Sequence, residues 1–164
     1  GFFPGSTIGN FTPLEAENLL KSFSLILGSG SHMIIGVDLI KSKKVLENAY
    51  NDSKGITAQF NSNILKSVNS IVGGKLDKKN FKHHAFFNDK KKRIEMHLIS
   101  KVKHSVNILN QIINFKKGES IHTENSYKYT LEGFSKLSKN SGFRISQILK
   151  DENNLFSIFV LKVK

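Results

Sequence analysis

The chain has 164 residues, 38% of them hydrophobic, which suits one domain with a core of its own. It contains no cysteine, so disulfides and thiolate metal sites are excluded and a cytoplasmic location is expected. No segment approaches the roughly 20 apolar residues of a membrane helix, and the formal charge of +12 is spread along the chain, so neither a membrane nor a nucleic-acid partner is predicted.

The first sixteen residues predict a strand, a tight loop and a helix start. Phe2-Phe3 reads as the end of an apolar strand, and in the loop over 4–10 Gly5 and Gly9 permit positive φ and close approach to a ligand. Thr12-Pro13-Leu14-Glu15 combines an N-cap Thr, Pro at the first helical position and a capping-box Glu. This succession presents binding groups at the carboxyl edge of a parallel sheet. A strand that pairs with Phe2-Phe3 is therefore expected before residue 1.

The remaining elements predict an α/β core interrupted by a lobe of different character. Hydrophobic periodicity and Gly or polar stops define each element. Helices are predicted over 13–27, 42–51, 56–72 and 131–141, and strands over 32–38, 83–88, 92–102, 106–115, 119–128, 143–150 and 155–163. The chain is thus predicted to be α/β over 1–40, an inserted α+β lobe over 41–128, and α/β again over 129–164.

The six histidines predict no metal site. His83 and His84 are adjacent and point to opposite faces of a strand, so they cannot share one metal. His97, His104 and His122 show neither HxxxH nor paired-carboxylate spacing. No Ser/His/Asp set stands out either.

Seven short motifs occur along the chain in a fixed order. They are GSTIGN (5–10) followed by TP (12–13), GVDL (36–39), AYND (49–52), GITAQFN (55–61), RIEM (93–96) and IHTENSYK (121–128). This ordered set, which extends over essentially all 164 residues, closely resembles the histidine-specific methyltransferases. These enzymes use S-adenosyl-L-methionine (SAM) to trimethylate the α-amino group of L-histidine to hercynine, the first step of ergothioneine synthesis.

The resemblance implies a substrate site built from five side chains. Asn10 matches an Asn that accepts a hydrogen bond from the histidine α-amino group, and Tyr50 matches a Tyr that contacts the carboxylate. Glu124 and Ser126 match the pair that hydrogen-bonds the imidazole nitrogens, and Met96 matches a residue that lines the ring pocket. No residue is assigned a catalytic role.

The resemblance also implies the fold and the cofactor. The chain is expected to be the C-terminal part of a class I (Rossmann-like) SAM methyltransferase sheet, whose closing helix and β-hairpin occupy 129–164, with the lobe over 41–128 binding substrate. Gly5 corresponds to the loop beside the cofactor. The glycine-rich cofactor loop, the ribose-binding acid, the adenine site and an N-terminal Tyr that helps hold the substrate are expected before residue 1. This stretch alone is therefore not expected to be active, and a separate N-terminal half or self-association through the exposed first strand is expected to complete it.

The residues themselves are consistent with this chemistry but leave alternatives open. Methyl transfer needs a neutral amine lone pair held in line with the methyl group, and the oxygen of Asn10 can orient N–H bonds without protonating the amine. Taken alone, however, Asn10 reads as a turn or cap residue, Tyr50 as a packing residue, and Glu124 with Ser126 as polar groups on an exposed strand. Three alternatives remain: a relative that methylates another amine such as a prenylated tryptophan, a non-catalytic or split-enzyme remnant, and a basic nucleic-acid-binding domain.

Overall fold

A computed structural model describes all 164 residues as four α-helices, nine strands and two short 3₁₀ turns. None of the helices combines the length and the apolar character needed to cross a bilayer. The helices are α1 (Pro13–Leu27), α2 (Lys43–Tyr50), α3 (Ile56–Val72) and α4 (Leu131–Asn140). The strands are β1 (Phe2–Phe3), β2 (His32–Asp38), β3 (Phe81–Asn88), β4 (Arg93–Ser100), β5 (His104–Ile108), β6 (Gln111–Phe115), β7 (Ser120–Tyr127), β8 (Phe143–Lys150) and β9 (Phe156–Val163).

The chain divides into two compact units whose borders differ from the predicted ones. The first unit is Gly1–Ser42, Asn88–Arg93 and Asn125–Lys164, and the second is Lys43–Phe87 and Ile94–Glu124. The prediction assigned 88–93 and 125–128 to the inserted lobe. These two segments hold each other in the first unit, because the Lys128 N–H donates to the Lys92 carbonyl at 2.8 Å and Arg93 donates to the Tyr127 hydroxyl at 2.8 Å.

The first unit is built on a four-stranded sheet in the order β1-β2-β9-β8. β1 runs parallel to β2, so Phe2-Phe3 has a partner strand within the chain and the expectation of one only before residue 1 was wrong. β9 is antiparallel to both β2 and β8. The predicted helix followed by an antiparallel hairpin is present as α4, β8 and β9. The apolar faces of α1 and α4 share one core with the sheet; its fully buried members include Ile8, Leu20, Ile35, Phe134, Phe143 and Phe159.

Helix α1 begins where the sequence predicts, with its capping box formed. The Thr12 Oγ1 accepts a hydrogen bond from the Glu15 N–H, and the Glu15 carboxylate accepts one from the Thr12 N–H at 2.8 Å. Two otherwise unpaired donors of the first turn are satisfied in this way. The helix therefore starts at a fixed point, directly after the loop over 4–10.

The second unit contains α2, α3, the sheet β3-β4-β7 and the hairpin β5-β6. The prediction of a single strand over 106–115 was wrong, because this segment is a hairpin of β5 and β6. The chain reverses at Leu109 and Asn110, which have φ values of 51° and 64°. Positive φ at both turn residues is the conformation of a tight two-residue hairpin, where Gly is usual. Because no glycine stands at this turn, the apolar pattern of the sequence predicted one continuous strand.

Candidate functional site

The loop between β1 and α1 turns sharply at the carboxyl ends of the parallel pair β1 and β2. Gly5 and Ser6 both lie in the left-handed region, with φ values of 74° and 57°. The Ser6 hydroxyl oxygen accepts a hydrogen bond from the Asp38 N–H at 2.8 Å. This bond ties the loop to the end of β2 and sets the start of the 3₁₀ turn Thr7–Asn10.

Gly9 lets the 3₁₀ turn approach the end of β7 more closely than any other residue would. A Cβ at Gly9 would lie 2.7 Å from the Tyr127 carbonyl oxygen and 3.6 Å from the Ser126 Oγ. The φ of Gly9 is not positive, so this glycine is needed for space and not for a left-handed backbone. The sequence prediction of close approach to a ligand is replaced here by close approach to the chain's own backbone. The exposed Asn10 is thereby held on a turn that packs against Ser126.

A buried lysine controls the hydrogen bonding of Ser126. The Lys128 side chain is 1% exposed, and its Nζ lies 2.8 Å from the Asp38 Oδ2 and 2.8 Å from the Ser126 Oγ. Lys41 contacts the other oxygen of Asp38. Because an ammonium only donates, the Ser126 oxygen accepts from Lys128, and the Ser126 hydroxyl proton is directed to another group. Lys128 ends the motif IHTENSYK (121–128), but the sequence predicted no role for it. Its place two residues after Ser126 was a usable signal, because alternate residues of an extended chain lie on the same side.

In the second unit, Tyr50 and Met96 belong to the same apolar cluster. Met96 is 2% exposed and packs with Leu46, Phe87 and Ile94, while Tyr50, the last residue of α2, packs against the edge of this cluster. The Tyr50 carbonyl oxygen lies 2.8 Å from the Nε2 of His83. The structure thus brings these two predicted residues together, and it gives Met96 a clear packing role. Its predicted contact with a substrate ring remains a prediction.

Glu124 lies near the end of β7. The residue before it, Thr123, contacts two other elements of the second unit. The Thr123 Oγ1 lies 2.6 Å from the Asn61 Oδ1 of α3 and 2.9 Å from the Met96 carbonyl oxygen of β4. Glu124 itself is half-buried. Its carboxylate therefore stands on a strand that a helix and a neighbouring strand both hold in place.

The second unit also gathers Glu95, His97 and His122, a group that the sequence did not predict. Their ligand-type atoms all lie within 4.8 Å of one another. The His97 and His122 rings stack with centroids 4.5 Å apart and planes 15° apart. Burial, together with the neighbouring His122, lowers the pKa of His97 below that of a free imidazole. Linear spacing missed the group because His122 comes from β7 whereas the other two lie on β4.

The backbone at Gly5, directly after β1, has open space beside it. Gly5 has a conformation that favours glycine, and its only neighbour within 4 Å of an added Cβ is the Thr7 Oγ1, at 4.0 Å. Room is therefore available at the carboxyl end of β1, where cofactors of α/β sheets bind. Asp38, at the end of β2, is paired with both Lys41 and Lys128.

Comparison with solved structures defines the fold class. The CcbJ methyltransferase from Streptomyces caelestis matches over 99% of this chain and 59% of its own length, with a TM-score of 0.55 and 8% identity. A SAM-dependent methyltransferase from Clostridium acetobutylicum matches over 99% of this chain and 56% of its own length, with a TM-score of 0.50 and 10% identity. At such low identity the likeness concerns the fold alone, which is that of a Rossmann-like SAM-dependent methyltransferase.

The sequence then narrows the class to one family. The family model described as "Histidine-specific methyltransferase, SAM-dependent" matches residues 1–163, so the chain belongs to that family. Histidine N-alpha-methyltransferase of Mycolicibacterium smegmatis is 37% identical over 132 residues, which are 79% of this chain and 41% of the relative. Ergothioneine biosynthesis protein 1 of Neurospora crassa is 44% identical over 69 residues, 42% of this chain and 8% of the relative. The chain thus spans about two fifths of the bacterial relative that it matches.

Proposed function

We propose that these residues serve a SAM-dependent N-methyltransferase that trimethylates the α-amino group of L-histidine to hercynine. The observation that carries the proposal is the pairing of Glu124 and Ser126 two residues apart on β7, with Lys128 donating to the Ser126 oxygen. Glu124 is a hydrogen-bond acceptor, and a hydroxyl that accepts from an ammonium can still act as a donor. A neutral imidazole presents one N–H and one lone pair. A donor and an acceptor in this spacing match that pattern, and they do not match the single N–H of an indole ring.

Asn10 and Tyr50 are proposed to hold the other end of the substrate. Asn10 stands at the end of a 3₁₀ turn whose position Gly9 and Ser6 fix. Its side-chain oxygen would accept a hydrogen bond from the α-amino group and so direct the lone pair of the neutral amine toward the methyl group, at roughly 3 Å. The Tyr50 hydroxyl would donate to the α-carboxylate. Neither residue exchanges a proton with the amine, so their contribution is orientation.

SAM would supply the methyl group from a sulfonium centre. The backbone at Gly5 is the part of this chain proposed to lie beside it, because the glycine leaves the carboxyl end of β1 open. The proposal assigns no general acid or base. The chain's own residues would select the ring, orient the amine and keep water away from it.

Calorimetric titration with L-histidine tests the assignment of Glu124. In a complete enzyme, Glu124→Ala should lose most of the affinity for histidine and leave the affinity for SAM unchanged, because the carboxylate is proposed to touch only the ring. Glu152→Ala removes the same charge from an exposed turn and should bind histidine like the unaltered protein. Unchanged histidine affinity in Glu124→Ala would refute the assignment.

A series of amino acids tests the substrate class. A site built to hydrogen-bond two ring nitrogens should reject L-phenylalanine by roughly 10⁴-fold relative to L-histidine, because its buried polar groups would be left unpaired. Mass spectrometry of histidine incubated with SAM and a complete enzyme that contains these residues should detect one, two and then three added methyl groups. Methylation of a tryptophan derivative in preference to histidine would contradict the proposal and favour a sister activity.

A further inference from the structure

Glu95, His97 and His122 form a compact donor set on one face of the second unit's sheet. Glu95 and His97 are two residues apart on β4, so they project from the same side, and His122 reaches them from β7. The ligand-type atoms of all three lie within 4.8 Å of one another. The Nε2 of His97 is 3.5 Å from the Oε2 of Glu95. We infer that this group binds a divalent transition metal ion of the zinc type, independently of the proposed methyl transfer.

The surroundings of His97 support a site that is built rather than accidental. Its Nε2 is buried and has no aligned hydrogen-bond partner, although a buried ring nitrogen normally has one. Phe86 stacks on the other side of the His97 ring, with centroids 5.5 Å apart, which limits the ring's orientation. Glu95 is 7% exposed, whereas His122 is exposed. An ion can therefore enter beside His122 and meet ligands that the fold already holds.

The donor chemistry favours zinc and its neighbours in the first transition series. Two imidazoles and one carboxylate are a common three-ligand set for Zn²⁺, with the fourth position taken by water. Ligands at about 2.0–2.1 Å in a tetrahedron stand roughly 3.4 Å apart. The His97–Glu95 pair is already at 3.5 Å, whereas the widest separation, up to 4.8 Å, must shorten by up to about 1.4 Å. The stacked rings must also tilt to aim their lone pairs at one point. This rearrangement predicts an affinity in the micromolar range, around 10⁻⁶ M, rather than that of a rigid structural site.

His84 provides a matched control for this site. It is an exposed histidine that stacks on Phe86, with centroids 5.7 Å apart, so it belongs to the same row of rings. It does not belong to the group of converging ligand atoms. Replacing His84 therefore removes an imidazole from the same surface without removing a proposed ligand.

The experiment is calorimetric titration of the tag-free chain with Zn²⁺, together with absorption spectroscopy with Co²⁺. We expect one ion per chain and the intense visible bands of tetrahedral Co²⁺. His122→Ala and His97→Ala should each weaken binding by roughly tenfold or more, whereas His84→Ala should bind like the unaltered chain. Zn²⁺ should also raise the unfolding temperature of the unaltered chain and not that of His122→Ala.

The variants also define the results that would overturn the inference. Equal Zn²⁺ affinity in His122→Ala and the unaltered chain would refute the site, as would an equal loss in His84→Ala. If His97→Ala does not fold, His122→Ala decides the question alone, because His122 is exposed and its loss should not disturb the core. Glu95→Gln, which keeps the side-chain shape, should likewise weaken binding and abolish the tetrahedral Co²⁺ spectrum. Histidine binding does not enter these measurements, so failure of the proposed function would leave the result unaffected.

Discussion

Replacing Lys128 with Met keeps the length of a buried side chain and removes its charge. The Lys128 ammonium makes two hydrogen bonds of 2.8 Å, one to Asp38 and one to Ser126. Hydrogen bonds to charged groups contribute about 1.5–3 kcal/mol each, and breaking a buried ion pair costs about 3–5 kcal/mol. The cost should fall at the low end here, because Asp38 is 20% exposed and keeps Lys41 as a partner. We expect Lys128→Met to lower the free energy of unfolding by about 2–3 kcal/mol.

The same substitution should weaken histidine binding through Ser126. Without the ammonium, the Ser126 hydroxyl can turn its proton toward Asp38 and no longer presents it to the imidazole. A loss of about tenfold in affinity, or 1.4 kcal/mol, is expected by calorimetry. Ser126→Ala removes the group through which Lys128 acts. In that background, Lys128→Met should therefore have little further effect on histidine affinity.

Urea unfolding followed by circular dichroism, alongside calorimetry, separates the two effects. Lys41→Met is the matched control, since Lys41 contacts the other oxygen of the same carboxylate. It should lower stability and leave histidine affinity unchanged. If Lys128→Met weakens histidine binding equally in the unaltered and Ser126→Ala backgrounds, the loss comes from a general disturbance of the fold. That result would refute a role of Lys128 through Ser126.

Three further substitutions test other parts of the structure. Gly9→Ala should destabilise the protein by about 1–3 kcal/mol in urea unfolding, because its Cβ would lie 2.7 Å from the Tyr127 carbonyl oxygen. Unchanged stability would contradict this close approach. Tyr129→Phe should be neutral or stabilising by up to about 1 kcal/mol in the same assay, because the buried Tyr129 hydroxyl has no hydrogen-bond partner. Burial raises the pKa of Tyr129 to about 12, so Tyr129→Phe should remove an absorbance change near pH 12 from an alkaline titration. Asp52→Asn should be less stable than the unaltered protein near neutral pH, because the Thr57 and Ile56 N–H groups lower the Asp52 pKa from 3.8 to about 2. A lowered pKa stabilises the folded state above the pKa of the unfolded state. Thermal unfolding should therefore show Asp52→Asn to be less stable than the unaltered protein above about pH 4, and the difference should vanish as the pH falls through about 2. A difference in stability that persists below about pH 2 would refute this cause.

The sequence predicted the elements that local rules determine. The capping box at Thr12 and Glu15 and the apolar stripe that follows fixed α1, and β2, β8 and β9 followed from short apolar runs with clear stops. It failed at Leu109 and Asn110, because a tight turn without glycine leaves no compositional signal. Local periodicity determines an element, whereas a two-residue turn depends on a conformation that most residues adopt only under tertiary constraint.

The contacts around the candidate site could be predicted only in part. The motif resemblance pointed to Asn10, Glu124 and Ser126, but it did not indicate that Lys128 is buried or that it donates to Ser126. That bond depends on Asp38, 90 residues earlier in the chain, being at the end of β2. No rule of spacing relates positions so far apart. The cluster of Glu95, His97 and His122 escaped notice for the same reason, since it depends on which strands are neighbours.

The chain of bonds from Ser6 through Asp38 and Lys128 to Ser126 has a consequence for altering specificity. Ser6 binds the backbone of the residue whose carboxylate holds Lys128, and Lys128 in turn sets the proton of Ser126. An engineer who exchanges only Glu124 and Ser126 for residues suited to another ring would leave an ammonium directed at the new side chain. A productive redesign would have to change Lys128 and Asp38 in the same step, so single-position libraries at the ring contacts should yield few variants with a new substrate.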